Sequence, residues 1–229
     1  CIRDRNVVSL VSTPMYDPNI FTEKLLTRDW RRLNNHPRRP LLNRSTSGMY
    51  APGSTFKMVV GLAALEAGII SEKSSFFCKG DMELGNATFH CWRKGGHGRM
   101  NITSALEQSC DVYFYEVALK TGIKRIRSMA LRLGLGGVTG LDIPGEKAGI
   151  IPSHEWKLAT HGKVWTPGET VVAAIGQGYV LATPLQLAVM TARIANGKFA
   201  VNPSIVMHDP DNAPVFEPLD ISESALAII

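Results

Sequence analysis

Ser54-Thr55-Phe56-Lys57 is the stretch of these 229 residues where residue type and spacing most clearly allow chemistry. A serine hydroxyl is a poor nucleophile until a base takes its proton, and a lysine three residues on lies on the same helical face. Lysine can be that base only if its pKa is lowered. Two features favour this: the positive end of the helix macrodipole disfavours an ammonium in the first turn, and an apolar helix desolvates it. The same helix start leaves the Ser54 amide without an intrahelical acceptor, free to serve as half of an oxyanion hole. Ser-x-x-Lys alone also reads as an N-capping serine with a surface lysine. The surroundings separate the two readings. Pro52-Gly53 precede the serine, and Phe56, Val59, Val60, Ala63, Ala64 and Ala67 recur at helical spacing up to Gly68. A buried helix starting at Ser54 is predicted, where a surface helix would carry a polar face.

Other elements must hold that helix in place. Val7-Val-Ser-Leu-Val-Ser12 reads as a buried strand, closed by Thr13-Pro14 and the turn cluster Tyr16-Asp-Pro-Asn19, before a polar loop to about Gly48. Ser104-Ala-Leu-Glu107 has capping-box spacing for a helix start, and Asp111 is placed to cap an aromatic helix from Val112 to Leu119. Ser109 falls at the joint between them. A basic helical stretch follows from Ile123 to Leu133, and Thr183-Pro184 opens a helix from Leu185 to Ala195, ended by Asn196-Gly197.

Composition bounds the answer. With 45% hydrophobic and 20% charged residues the chain can bury a core, as one large domain or a piece of one. The net charge of +5 is concentrated in Arg28 to Arg44 and Trp92 to Arg99. Neither patch sits in a nucleic-acid module, so solvated loops with some attraction for phosphate or wall polymer are expected, and no nucleic-acid partner. No apolar run is long enough to span a bilayer, and Cys1-Ile-Arg-Asp-Arg-Asn6 does not resemble a signal peptide. Asn6 to Ser12 and Ala225 to Ile229 both read as structure, which suggests a fragment with its export signal or membrane anchor outside it.

Tyr50-Ala-Pro-Gly-Ser54-Thr-Phe-Lys57 resembles the first active-site motif of penicillin-binding proteins. Val11-Ser-Thr-Pro-Met-Tyr-Asp-Pro-Asn19 before it, and Leu141-Asp-Ile-Pro-Gly-Glu146 and Ile175-Gly-Gln-Gly178 after it, extend the resemblance over nearly the whole chain. Ser109-Cys110-Asp111 stands where the second motif would be. Aspartate in place of the family's frequent asparagine is similar to class B enzymes of the penicillin-binding protein 2 type, the cell-elongation transpeptidases. The resemblance implies an α+β penicillin-binding/serine β-lactamase-like transpeptidase fold, here a helix-rich fragment lacking part of the antiparallel sheet. Residues 1–229 would be part of one transpeptidase domain, with an N-terminal anchor and pedestal, and a C-terminal part, lying outside it. It implies Ser54 as nucleophile, Lys57 as base, Ser109 as proton relay and Asp111 as a substrate-binding position. Lys120-Thr121-Gly122 spells the third motif but directly follows a helix, whereas the family's triplet lies on a strand far downstream of Ser109. It reads instead as a helix C-terminus capped by Gly122, with the true triplet expected beyond Ile229.

The implied reaction is peptidoglycan D,D-transpeptidation. Stem peptides are the substrates, β-lactams the inhibitors, and a membrane glycosyltransferase with its elongation complex the partner, at the periplasmic face of the bacterial inner membrane. No cofactor is needed for catalysis. A serine β-lactamase, or a non-catalytic β-lactam sensor or scaffold, is the alternative; no Glu-x-x-Leu-Asn is present for class A deacylation.

In that oxidising compartment Cys78, Cys91 and Cys110 form an odd count, with Cys1 at one end of the chain. Together with His97 they make the ligand set of a closed structural zinc site, His90 being the competing ligand. A Cys78 to Cys91 disulfide with Cys110 buried, or three unrelated apolar cysteines, are the alternatives. Gln177 is expected to shape the domain below the cleft, and Trp156 and Trp165 to pack. His154, His161 and His208 receive no role.

Overall fold

The computed structural model describes residues 5–22, 24–206 and 215–229; Cys1 and His208 lie outside them. Nine α-helices and four short strands occur among the described residues. The core is built around helix α2, Lys57–Glu66, in which Val59, Val60, Leu62, Ala63 and Ala64 are buried on all sides. A helix apolar all round must be surrounded by other elements. Around it pack α4 (Asp111–Thr121) and α5 (Ile123–Arg132), and α4 packs in turn on α7 (Pro167–Ala174). Gly68, at φ 64°, follows the end of α2, as its left-handed conformation suits.

The strands lie together between α2 and α4 in the chain. β1 (Phe76–Cys78) pairs antiparallel with β4 (Gly98–Met100), so that Cys78 stands opposite Gly98. β2 (Asp81–Leu84) pairs with β3 (Ala87–His90), Asp81 opposite His90. These two small ribbons carry the cysteine loop to the end of α3 (Ile102–Glu107) and the start of α4. Helix α1 (Thr27–Asn34) lies in the long segment before the Ser54 turn, while α6 (His154–His161), α8 (Pro184–Asn196) and α9 (Glu223–Ile228) complete the order. No described helix is long and apolar enough to cross a membrane.

Several elements differ from the sequence reading. Ser54 lies in a 3-10 turn, Gly53–Phe56, and the α-helix proper begins at Lys57. The capping box before α3 is built from Asn101 and Ser104, not Ser104 and Glu107: Asn101 Oδ1 accepts the Ser104 amide and Ser104 Oγ accepts the Asn101 amide. Asp111 is the first residue of α4 with Cys110 as its N-cap, and its carboxylate turns inward instead of capping. Val7 to Ser12 is not a buried strand. Only Asn6 bridges Ser204, and Val8 and Val11 are 78% and 64% exposed, because no ladder partner runs alongside them among the described residues.

Candidate active site

The first turn of α2 and the joint between α3 and α4 meet at the predicted nucleophile. Ser54 Oγ lies 2.7 Å from Ser109 Oγ, and Lys57 Nζ donates to Ser109 Oγ at 3.0 Å and to the Ser109 carbonyl at 2.8 Å. The three side chains therefore form a line, Ser54 to Ser109 to Lys57. This corrects the simplest expectation from spacing, that Lys57 reaches Ser54 directly: the lysine bonds the second serine, which touches the first.

Lys57 is only 1% exposed, yet every proton of an ammonium has an acceptor. The third goes to Asp111 Oδ1 at 2.6 Å, and the cation lies 5.6 Å from the centre of the Phe114 ring. A buried charge is tolerated only when paired and fully hydrogen-bonded, and this one is both. Asp111 Oδ2 in turn accepts the backbone N–H of Trp92 at 3.0 Å. Each carboxylate oxygen thus has a partner, and Asp111 braces Lys57 and the Trp92 loop, a contact that the resemblance did not indicate.

Two backbone features hold this geometry. Ser109 has φ 52°, a left-handed conformation costly for a residue with a side chain, which lets its carbonyl and its hydroxyl both face Lys57. On the other flank the Gly53 amide donates to the Gly176 carbonyl at 3.0 Å. A Cβ on Gly176 would stand 2.3 Å from the Gly53 carbonyl oxygen, so only glycine permits this approach to the residue preceding Ser54.

Cys78, Cys91, His97 and Cys110 converge behind the Ser109 turn, all their ligand atoms lying within 4.8 Å of one another. The three cysteines are free thiols. His97 Nδ1 is 3.6 Å from Cys78 Sγ and 3.5 Å from Cys91 Sγ. A tetrahedral zinc with Zn–S of about 2.3 Å and Zn–N of about 2.0–2.1 Å requires a sulfur-to-nitrogen edge of about 3.5 Å, so the residues fit the metal. Burial, then Arg93, lowers the His97 pKa, favouring the neutral imidazole that a metal needs. Burial pushes the Cys110 thiol up to about 12, so a nearby cation is needed to hold it as thiolate. Gly96 makes the loop tight: a Cβ there would fall 2.2 Å from the Cys78 carbonyl oxygen. His90, the competing ligand, is exposed at the end of β3 and outside the cluster.

Residues 2–229 match the model of the penicillin binding protein transpeptidase domain. The chain belongs to that family. It is 40% identical over 207 residues to the Escherichia coli peptidoglycan D,D-transpeptidase MrdA, a match covering 90% of this chain and 33% of that protein. Its fold is similar to the crystal structure of Pseudomonas aeruginosa PBP2 in complex with WCK 5153, with TM-score 0.86 and 39% identity, over 94% of this chain and 48% of that one. Helicobacter pylori PBP2, solved as a complex with MreC, gives TM-score 0.87 at 36% identity, over 95% and 40%. The chain thus spans about a third of the length of the Escherichia coli relative.

In this transpeptidase domain Ser54, Lys57, Ser109 and Asp111 come together, and the four zinc-ligand candidates form a second cluster attached to the first through Cys110. Lys120-Thr121-Gly122 is the end of α4, with Gly122 at φ 78°, as the sequence indicates. Trp156, buried Trp165, His161 and Tyr179 form an aromatic cluster, in keeping with packing. Gln177 is exposed, and the residue beside it, Gly176, makes the contact with the nucleophile turn. Trp92 and Gly176 are the site residues that the motifs did not indicate. A tryptophan following a candidate ligand cysteine, and the first glycine of Gly-Gln-Gly, were the available signals.

Proposed function

We propose that this chain carries the nucleophile, relay and base of a peptidoglycan D,D-transpeptidase of cell-wall elongation, at the periplasmic face of the inner membrane. The observation that carries it is the Ser54–Ser109–Lys57 line, with Lys57 buried and braced by Asp111. Ser54 Oγ attacks the carbonyl of the penultimate D-alanine of a stem peptide. With Lys57 as the free amine, its two N–H groups stay on the Ser109 carbonyl and Asp111 Oδ1 while its lone pair takes the Ser109 proton, as the Ser54 proton passes to Ser109 Oγ. Asp111 then stabilises the ammonium that forms, the state whose three protons find the three acceptors around Lys57 Nζ. The peptide C–N bond then breaks, the leaving terminal D-alanine takes a proton back along the line, and an ester to Ser54 remains. The amine of a neighbouring stem attacks that ester, losing its proton to the same line, and Ser54 is released with the cross-link formed. β-Lactams acylate the same oxygen. The names of the relatives support the reaction, the MreC complex of the Helicobacter pylori protein supports an elongation-complex partner, and a similar chain from a peptidoglycan synthase complex that coordinates polymerization and crosslinking supports a membrane glycosyltransferase within it.

No cofactor takes part in these steps. Cys78, Cys91, His97 and Cys110 would hold a structural zinc, whose chemistry is to crosslink β1, the loop before β4 and the start of α4 with no ligand position left open for water. Anomalous scattering at the zinc edge tests it: a peak between the four ligands is expected, and its absence together with a Cys78 to Cys91 bond would overturn the assignment.

The function is tested on the full-length protein with a labelled penicillin and a stem-pentapeptide donor. Stable labelling with D-alanine release and cross-link formation is expected. Rapid loss of the label would instead indicate a β-lactamase, stable labelling without cross-linking a sensor, and no labelling a scaffold.

A further inference from the structure

Trp92 follows Cys91 and overhangs the Ser109 turn, yet 64% of it is exposed. Burial therefore does not explain its placement. Its two N–H groups do: the main-chain N–H donates to Asp111 Oδ2 at 3.0 Å, and indole Nε1 donates to the carbonyls of Ser109 at 3.1 Å and Gln108 at 3.2 Å. The ring also meets His97 edge to face, centroids 5.3 Å apart.

We propose that Trp92 is a positioning residue for acylation, holding the strained Ser109 turn and the Asp111 carboxylate so that both face Lys57. The Ser109 carbonyl receives two donors, Lys57 Nζ from one side and the indole from the other. Ser109 sits at φ 52°, where the unconstrained backbone does not rest, and the indole bond opposes rotation of the peptide that follows. Rotating that peptide would carry the carbonyl away from Lys57 and move Ser109 Oγ off the line to Ser54. The Asp111 carboxylate is shared in the same way, Oδ1 with Lys57 and Oδ2 with the Trp92 amide. The inference rests on the transpeptidase reading above, because a positioned relay matters only if Ser54 is acylated.

The test is the kinetics of labelled-penicillin acylation of the full-length protein, with the first-order acylation constant separated from the binding constant. Trp92 is replaced by 3-benzothienylalanine, which exchanges the indole N–H for sulfur at nearly constant shape, and separately by phenylalanine. The acylation constant is expected to fall about tenfold or more in both, with the binding constant within twofold of wild type and thermal stability and zinc content retained. Replacement by 5-fluorotryptophan, which keeps the N–H, restores the wild-type rate. A benzothienyl variant that acylates at the wild-type rate overturns the proposal, and so does a change confined to the binding constant, which would make the ring a ligand contact. Loss of zinc in parallel with rate also overturns it, in favour of a purely structural role. Wild-type protein that takes no label refutes the transpeptidase reading itself, and is distinguishable from every one of these.

Discussion

At the residue scale, the acid-base line runs through an intermediary. Lys57 is hydrogen-bonded to Ser109 and Asp111, so in the proposed mechanism its proton exchange with Ser54 passes across the Ser109 hydroxyl. Ser109→Ala should therefore lower the acylation rate by roughly 10²- to 10⁴-fold, the range for loss of a positioned proton-transfer group. Ligand binding before acylation should change little, and stopped-flow labelling of the full-length protein reads both. If Lys57 served Ser54 directly, the loss would stay within a few-fold. Ser54 and Lys57 were legible because their spacing and the apolar helix are local facts. Ser109 and Asp111 depend on a contact across 52 to 54 residues, and were found by resemblance to a motif, not from spacing.

At the element scale, the turn that carries Ser54 is clamped from outside its own helix. Gly176, at φ 67°, accepts the Gly53 amide, and both its conformation and its contact with the Gly53 carbonyl exclude a side chain. Gly176→Ala should cost roughly 2–4 kcal/mol from strained backbone and overpacking together, read as a fall in Tm. The acylation rate should fall with it as the Ser54 turn is displaced. Gly178→Ala is the control, since its neighbour at 3.0 Å is a methyl of Val172 and it does not touch the Ser54 turn. Helices α4, α5 and α8 were readable because caps and apolar spacing are written locally: Gly122 between α4 and α5, Thr183-Pro184 and Gly197 around α8. The Val7 to Ser12 strand failed because a strand needs a partner, which an apolar run does not specify. The inward turn of Asp111 was missed because an aspartate at a helix start reads as a cap until the buried lysine it pairs with is placed nearby.

At the scale of the whole molecule, stability and catalysis draw on separate charged pairs. Buried Lys157 bonds the Val164 carbonyl at 2.7 Å and pairs with Glu169, which also closes the capping box of α7 on Thr166. Burial pushes the Glu169 carboxyl up, but the hydrogen bonds from Lys157 and from the Thr166 backbone and hydroxyl outweigh it and hold it below its ordinary value. A carboxylate with a depressed folded-state pKa contributes stability above its unfolded value of about 4.5, and that stability is lost as pH falls through the lower folded value. Glu169→Gln should therefore be less stable than wild type near pH 7 and lose less Tm below about pH 4.5. Parallel Tm-versus-pH curves would show the pair to be idle. The proposed acylation machinery sits on the turn before α2, on α2 and at the joint of α3 and α4, and shares no hydrogen bond with this pair; its central claim is a covalent bond at one oxygen. Peptide mapping by mass spectrometry after penicillin treatment of the full-length protein tests it most directly. The adduct is predicted on the peptide containing Ser54 and nowhere in Ser54→Ala; an adduct on another residue, or one that survives Ser54→Ala, would contradict the account.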